Sequence, residues 1–202
     1  MTELAVASTN LALGLSRQIG DLHGEGLNLS NIGALLEDAG SYAEAIEYYR
    51  KALEVAETIG DRRGQQQRLG KLGALLADLG DLEQARDATD QAYEIASEIG
   101  NREGQSAHLR TSAGIYLKSG NTRKALDCYQ KSLEIAGSIQ CRDEEAEALS
   151  GMGNVYHVLG RFSEALNVHS QALAIFKELK LTKRESEEAL TLAALSKNEQ
   201  TE

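Results

Sequence analysis

Residues 60–99 read GDRRGQQQRLGKLGALLADLGDLEQARDATDQAYEIASEI, and the punctuation of this stretch decides the fold. Gly60-Asp61 and Gly80-Asp81 each pair a glycine suited to closing one helix with an aspartate suited to capping the next. Between them Leu69, Leu72, Leu75 and Leu76 form one apolar helical stripe. The unit is helix, tight turn, helix, and it recurs at a 40-residue step. The turn Gly80-Asp81 has counterparts at Gly40-Ser41, Gly120-Asn121 and Gly160-Arg161. A small residue opening the following helix recurs as Ala45, Ala85, Ala125 and Ala165, and another as Ala52, Ala92, Ser132 and Ala172. A fixed period of this length means stacked supersecondary units, none of which buries its apolar face alone.

Composition agrees. Among 202 residues there is no proline, no tryptophan and only two phenylalanines, while strong helix formers abound, so an all-α chain is expected. The formal charge of −10 argues against nucleic acid, which needs a basic stripe, and favours a basic or neutral protein partner. No run reaches the ~18 apolar residues of a membrane span, and Met1–Asn10 lacks a secretory start, so a cytoplasmic chain is expected. Cys128 and Cys141 fit neither a disulfide framework nor a zinc pattern and read as reduced thiols.

In order, Met1–Ile19 matches the second helices, because Ala5, Ala12, Leu13 and Ile19 share the phases of Ala45, Ala52, Leu53 and Ile59. Four full repeats follow at 20–59, 60–99, 100–139 and 140–179, then a terminal first helix within 180–202, all read as a single array. The two-residue turns force each pair antiparallel with facing stripes. Arg86 and Thr89 weaken the second repeat's stripe, and Ser112 and Ala113 mark the third repeat as the expected weakest stack. The turn before the fourth, Gln140-Cys141-Arg142, lacks glycine, and Asp143 is expected to cap there. Thr182-Lys183-Arg184-Glu185 fits a capping box, and Asn198–Glu202 should fray.

Set in register, the units spell Leu29-x2-Ile32-Gly33-x2-Leu36 then Ala45-x3-Tyr49-x2-Ala52, and Leu149-x2-Met152-Gly153-x2-Tyr156 then Ala165-x3-His169-x2-Ala172. This resembles the tetratricopeptide repeat (TPR), W-x2-L-G-x2-Y followed by A-x3-F-x2-A, over nearly the whole chain. The usual Trp is replaced in every unit, and Glu57, Ser97, Gly137 and Lys177 stand where the unit usually has Pro. Without Pro the second helix runs on, consistent with a 40-residue unit. Links such as Gly60-Asp61-Arg62-Arg63-Gly64 are similar to those of the Partner of Inscuteable scaffolds and their bacterial relatives. The resemblance implies a right-handed α-solenoid of antiparallel helix pairs, whose first helices line a concave groove that holds a segment of another protein.

The groove so implied is lined by Leu27, Asn31, Ala34 and Asp38; Gln67, Lys71, Ala74 and Asp78; Ala107, Arg110, Thr111, Gly114 and Lys118; and Glu147, Ser150, Asn154 and His157. Small residues there leave room for a ligand. Asn31 and Asn154 suit a peptide backbone, and Lys71 and Arg110 suit a carboxylate. Tetratricopeptide domains that clamp a C-terminal carboxylate resemble one another in a Lys, Asn, Asn, Lys, Arg set. Ser30, Ala34, Lys71, Ala107 and Thr111 stand at those positions, so no such clamp is expected. His169 shares the core phase of Tyr49 and Tyr129, and His23, His108 and His157 have no metal-ligand spacing. The acids Asp143–Glu145 and Glu185–Glu188 sit at helix starts, where they favour the dipole. No catalytic or phosphate-binding motif occurs, so neither an enzyme nor a cofactor is expected.

The leading expectation is a scaffold that takes a peptide or helix of a protein partner in its groove. The alternative is self-assembly. The chain starts in a second helix and ends in a first helix, so the terminal half-repeats of two copies could pair to give an oligomer or filament.

Overall fold

A computed structural model describes residues 2–199, and it is helical wherever the 40-residue pattern predicts. Met1 and residues 200–202, including most of the segment expected to fray, lie outside that range; Asn198 and Glu199 close the last helix. Among the described residues there are ten helices and no strand. They are α1 (Thr2–Ile19), α2 (Leu22–Asp38), α3 (Tyr42–Thr58), α4 (Arg62–Asp78), α5 (Leu82–Glu98), α6 (Arg102–Lys118), α7 (Thr122–Ser138), α8 (Arg142–Val158), α9 (Phe162–Glu178) and α10 (Thr182–Glu199). They group into two compact units, divided between Gly100 and Asn101.

In the first unit α1 packs on α2, α2 pairs with α3, α3 packs on α4 and α4 pairs with α5. In the second, α6 pairs with α7, α7 packs on α8, α8 pairs with α9 and α9 carries α10. The second-helix phase of α1 is borne out, since its Leu13 is buried with Leu29, Ile32 and Ala52. In the second unit one cluster gathers Ala113, Ala125, Tyr129, Met152 and Val155, and another Ala146, Leu149, Ala172, Ile175 and Phe176. The repeated alanines Ala45, Ala85, Ala125 and Ala165 are fully buried, because a methyl group is all that fits where two backbones cross.

Seven connectors turn on a glycine with positive φ, from Gly20 (72°) to Gly160 (71°). Gln140 and Lys180 adopt the same left-handed conformation at φ 56° without glycine's freedom. Asp21, Asp61, Asp81, Asn101 and Asn121 cap their helices, each accepting from the backbone N–H three residues on. Two expected caps are corrected. Helix α8 starts at Arg142, so its N-cap position falls on Cys141, which provides no side-chain cap; Asp143, one residue inside the helix, accepts from the Cys141 thiol at 3.1 Å instead. Likewise Thr182 is already the first residue of α10, with the Glu185 N–H donating to the Leu181 carbonyl, so Thr182 is too late to open a capping box.

Inside the first, second and fourth pairs a glycine of the first helix meets a side chain of the second. The Tyr49 ring lies 3.0 Å from where a Cβ on Gly33 would sit, and the rings or hydroxyls of Thr89 and His169 would overlap one on Gly73 and Gly153. In the third repeat Ala113 fills the glycine's place, and Tyr129 turns to Gly151 of the next repeat, its hydroxyl 2.8 Å from that Cβ position. Two buried polar residues of this repeat satisfy each other: Ser106 and Ser132 exchange hydroxyl-to-carbonyl bonds at 3.0 and 2.9 Å.

Candidate functional site

The first helices of neighbouring repeats lie side by side within each unit, joined by polar contacts at nearly the repeat spacing. Between α2 and α4, Lys71 Nζ stands 3.4 Å from Glu37, which also accepts from the Tyr49 hydroxyl at 2.8 Å. The buried Arg68 reaches the Gly26 carbonyl at 3.4 Å. Between α6 and α8, Arg110 lies 3.3 Å from Glu144 and 3.7 Å from Glu147. Between α8 and α10, Arg184 lies 2.7 Å from Glu147, and Ser150 donates to Glu188 at 2.8 Å. Within each unit these links hold neighbouring first helices in register.

On this face the candidate residues fall into two groups. Leu27, Asn31, Asp38, Gln67, Lys71, Asp78, Lys118, Asn154 and His157 are exposed. Ala34, Ala74, Ala107, Arg110, Thr111, Gly114, Glu147 and Ser150 are half-buried. In the first unit the structure brings Asn31, Ala34, Lys71 and Ala74 onto the α2 and α4 surfaces. In the second it gathers Arg110, Glu147, Ser150 and Asn154. Asn31, Gln67 and Asn154 make no side-chain hydrogen bond among the described residues, so their amides are open to a ligand. Lys71 and Arg110 do hold carboxylates, but those of this chain. His157 stacks at a tilt on Phe162, ring centres 5.8 Å apart.

A cavity of about 150 Å³ opens beside this set, between α8 and α10 with Phe176 of α9 behind it. Helix α8 contributes Glu147, Ser150 and Asn154, and α10 contributes Arg184, Glu187, Glu188 and Thr191. Burial raises the Glu147 carboxyl above the usual carboxylate range; Arg110 and Arg184 oppose this, and Glu144 and Glu188 add to it. The α10 residues are absent from the sequence-derived set. Adding 40 to Glu147 gives Glu187, so the repeat itself held the signal. The role expected of the last acidic run is corrected at Glu188, which is buried rather than placed only for the helix dipole. Its second oxygen meets Nδ1 of the fully buried His169 at 2.7 Å. His169 is packed in the core, as its phase implies.

Among the described residues no group of three His, Cys, Asp or Glu side chains is placed to hold a metal, and no helix is long and apolar enough to cross a membrane.

Comparison with known proteins bears on the family and the fold. Tetratricopeptide repeat family models match residues 29–58, 67–138 and 148–189. No curated protein matches the sequence. Among solved structures, BtubC (BKLC) from P. vanneervenii superposes with a TM-score of 0.81 at 21% identity, covering 98% of this chain and 84% of that one. A Podosopora anserina protein described as a kinesin light chain with nearly identical TPR-like repeats gives 0.72 at 14%, covering 89% and 88%. The apo form of RapI gives 0.72 at 19%, with 95% of this chain against 55% of that one. At these identities the superpositions speak for an all-α helical repeat fold and for nothing finer. With three family models matched along it and that fold in place, the chain belongs to the tetratricopeptide repeat family.

Proposed function

We propose that the chain binds a segment of a partner protein on its first-helix face, through Asn31, Gln67, Asn154 and the small residues between them. Tetratricopeptide arrays are in general protein-interaction scaffolds rather than catalysts, and the partner chemistry follows from charge. A chain of net −10 favours a basic or neutral segment. The observation that carries this reading is the exposed, uncommitted amides: in the first unit Asn31 and Gln67 beside half-buried Ala34 and Ala74 on helices tied by Lys71 and Glu37, and in the second Asn154 beside half-buried Ser150. An amide offers a donor and an acceptor together, which suits a peptide backbone, and a missing side chain leaves it room. Peptides selected from a random library against the full chain should lose about three- to thirtyfold in affinity on Asn31→Ala or Asn154→Ala, the loss of one or two hydrogen bonds. Unchanged affinity in both variants would remove this face from the account.

A second reading, self-association, is favoured by one observation. On α1, Leu4, Leu11, Leu15 and Ile19 form a stripe 61–77% exposed, facing away from α2. On α10 the stripe is poorer, with Leu190 exposed beside Ala193 and Ala194. In this reading the two surfaces pair between copies. Sedimentation should then show concentration-dependent mass that Leu11→Glu with Leu15→Glu abolishes; a monomer at ~100 μM, alike in both proteins, sinks it.

A further inference from the structure

The cavity between α8 and α10 has properties that the exposed amides lack. Its volume, about 150 Å³, is that of an engineered cavity holding one benzene ring, enough for one side-chain head group. Its walls already seat a guanidinium. Arg184, half-exposed, places Nε 2.7 Å from Glu147 and Nη1 3.3 Å from Glu187. One cation lines the space, Arg184, against three carboxylates, Glu147, Glu187 and Glu188, while Arg110 reaches Glu147 from outside the lining at 3.7 Å. Of these, Glu188 is also held by His169. Burial raises the affinity of Glu147 for its proton, Arg110 and Arg184 lower it, and Glu144 and Glu188 add a smaller increase. Carboxylates alone would make an ordinary solvated helix face. Here a partly open cavity with a guanidinium already docked in its wall makes a receptor for a cation.

We infer that this cavity accepts the guanidinium or ammonium group of a basic side chain from the partner, with Glu187 and Glu147 as its anionic contacts and Arg184 as an internal occupant that it displaces or shares with. Asn154 and Thr191 supply neutral acceptors at the rim. A planar guanidinium fits a carboxylate in two-point contact, so arginine is preferred to lysine. The inference rests on the first-helix face being the binding face, and it names what part of the partner is read there.

The test uses the full chain and three small probes: N-acetyl-arginine amide, N-acetyl-lysine amide and the isosteric neutral N-acetyl-citrulline amide. In amide NMR titrations the arginine probe should shift Ser150, Asn154, Glu187 and Thr191 with a millimolar dissociation constant, ahead of lysine, and citrulline should leave them unmoved. Glu187→Gln should weaken the arginine probe at least threefold. Arg184→Gln should strengthen it by a similar factor, because it removes the internal competitor; both side chains are about half exposed and the substitutions leave the core intact. Equal responses to arginine and citrulline, shifts elsewhere on the protein, or weaker binding after Arg184→Gln would each overturn the inference. The groove reading fails separately. If library-selected peptides still depend on Asn31 and Asn154 while the arginine probe leaves the cavity untouched, only the cavity inference falls.

Discussion

At the scale of single residues, glycines inside helices do opposite jobs. Gly153 must be glycine, because a methyl group there would lie 2.7 Å from His169 Cε1 and closer still to Nε2, against a ring fixed by Glu188. Gly153→Ala should cost about 1–3 kcal/mol in urea denaturation. Gly14, inside α1, has nothing within 4 Å of its missing Cβ, so Gly14→Ala should stabilise by about 0.5–1 kcal/mol. His108 gives a pH signature. It is buried, and burial first, Arg110 second, lowers its pKa from 6.5 to about 4. The folded chain therefore keeps His108 neutral while the unfolded chain takes up a proton below about pH 6.5. Its contribution is complete above that pH and is lost as the pH falls towards about 4, at up to ~1.4 kcal/mol per unit. Denaturation at about pH 7 and about pH 4.5 should show a smaller drop for His108→Gln than for the native chain. Equal drops would mean that the carboxylates alone set the acid limb.

At the scale of elements, the connectors before α8 and α10 are the least well made. Each holds a non-glycine residue in left-handed backbone, and neither the Cys141 nor the Leu181 position offers the side-chain cap found at Asp61 or Asn101. Gln140→Gly should gain about 1 kcal/mol, and Cys141→Asp a similar amount through a cap on α8. Asp61→Ala should lose about as much. Thermal melts of the three variants rank these effects; an Asp61→Ala melt equal to the native one would show that the cap geometry carries no energy. The ion pairs between elements matter less. Arg62 with Glu98 and Arg142 with Glu178 repeat at one spacing, but all four side chains are substantially exposed, so Arg142→Gln should leave the melting temperature close to that of the native chain. The capping expectations for Asp143 and Thr182 failed for a local reason. Composition shows that an acid or hydroxyl is near a helix start, whereas the cap depends on which residue has the non-helical backbone, a matter of one position.

For the whole molecule, charge sets the solution behaviour: a chain with pI near 5.0 and net −10 at pH 7 should be least soluble near pH 5, where His108 has also begun to undermine the fold. Light scattering across about pH 4–8 checks this, and a flat profile would refute it. The 40-residue period by itself determined that the chain is all helical, where each helix begins and ends to within a residue or so, and which alanines and glycines lie at crossings. It could do so because each repeat is a local unit whose apolar period, turn glycine and cap are contiguous in sequence. What only the tertiary structure decided lies between units of that pattern. Tyr129, packed with Ala113 of its own repeat, also lies against Gly151 of the next; Arg110 and Lys71 are spent on this chain's carboxylates; and Glu188 leaves the dipole role for a buried bond to His169 that helps wall a cavity. Those outcomes depend on which side chain across a packed interface is small, charged or already paired, and spacing along one strand of sequence does not encode that.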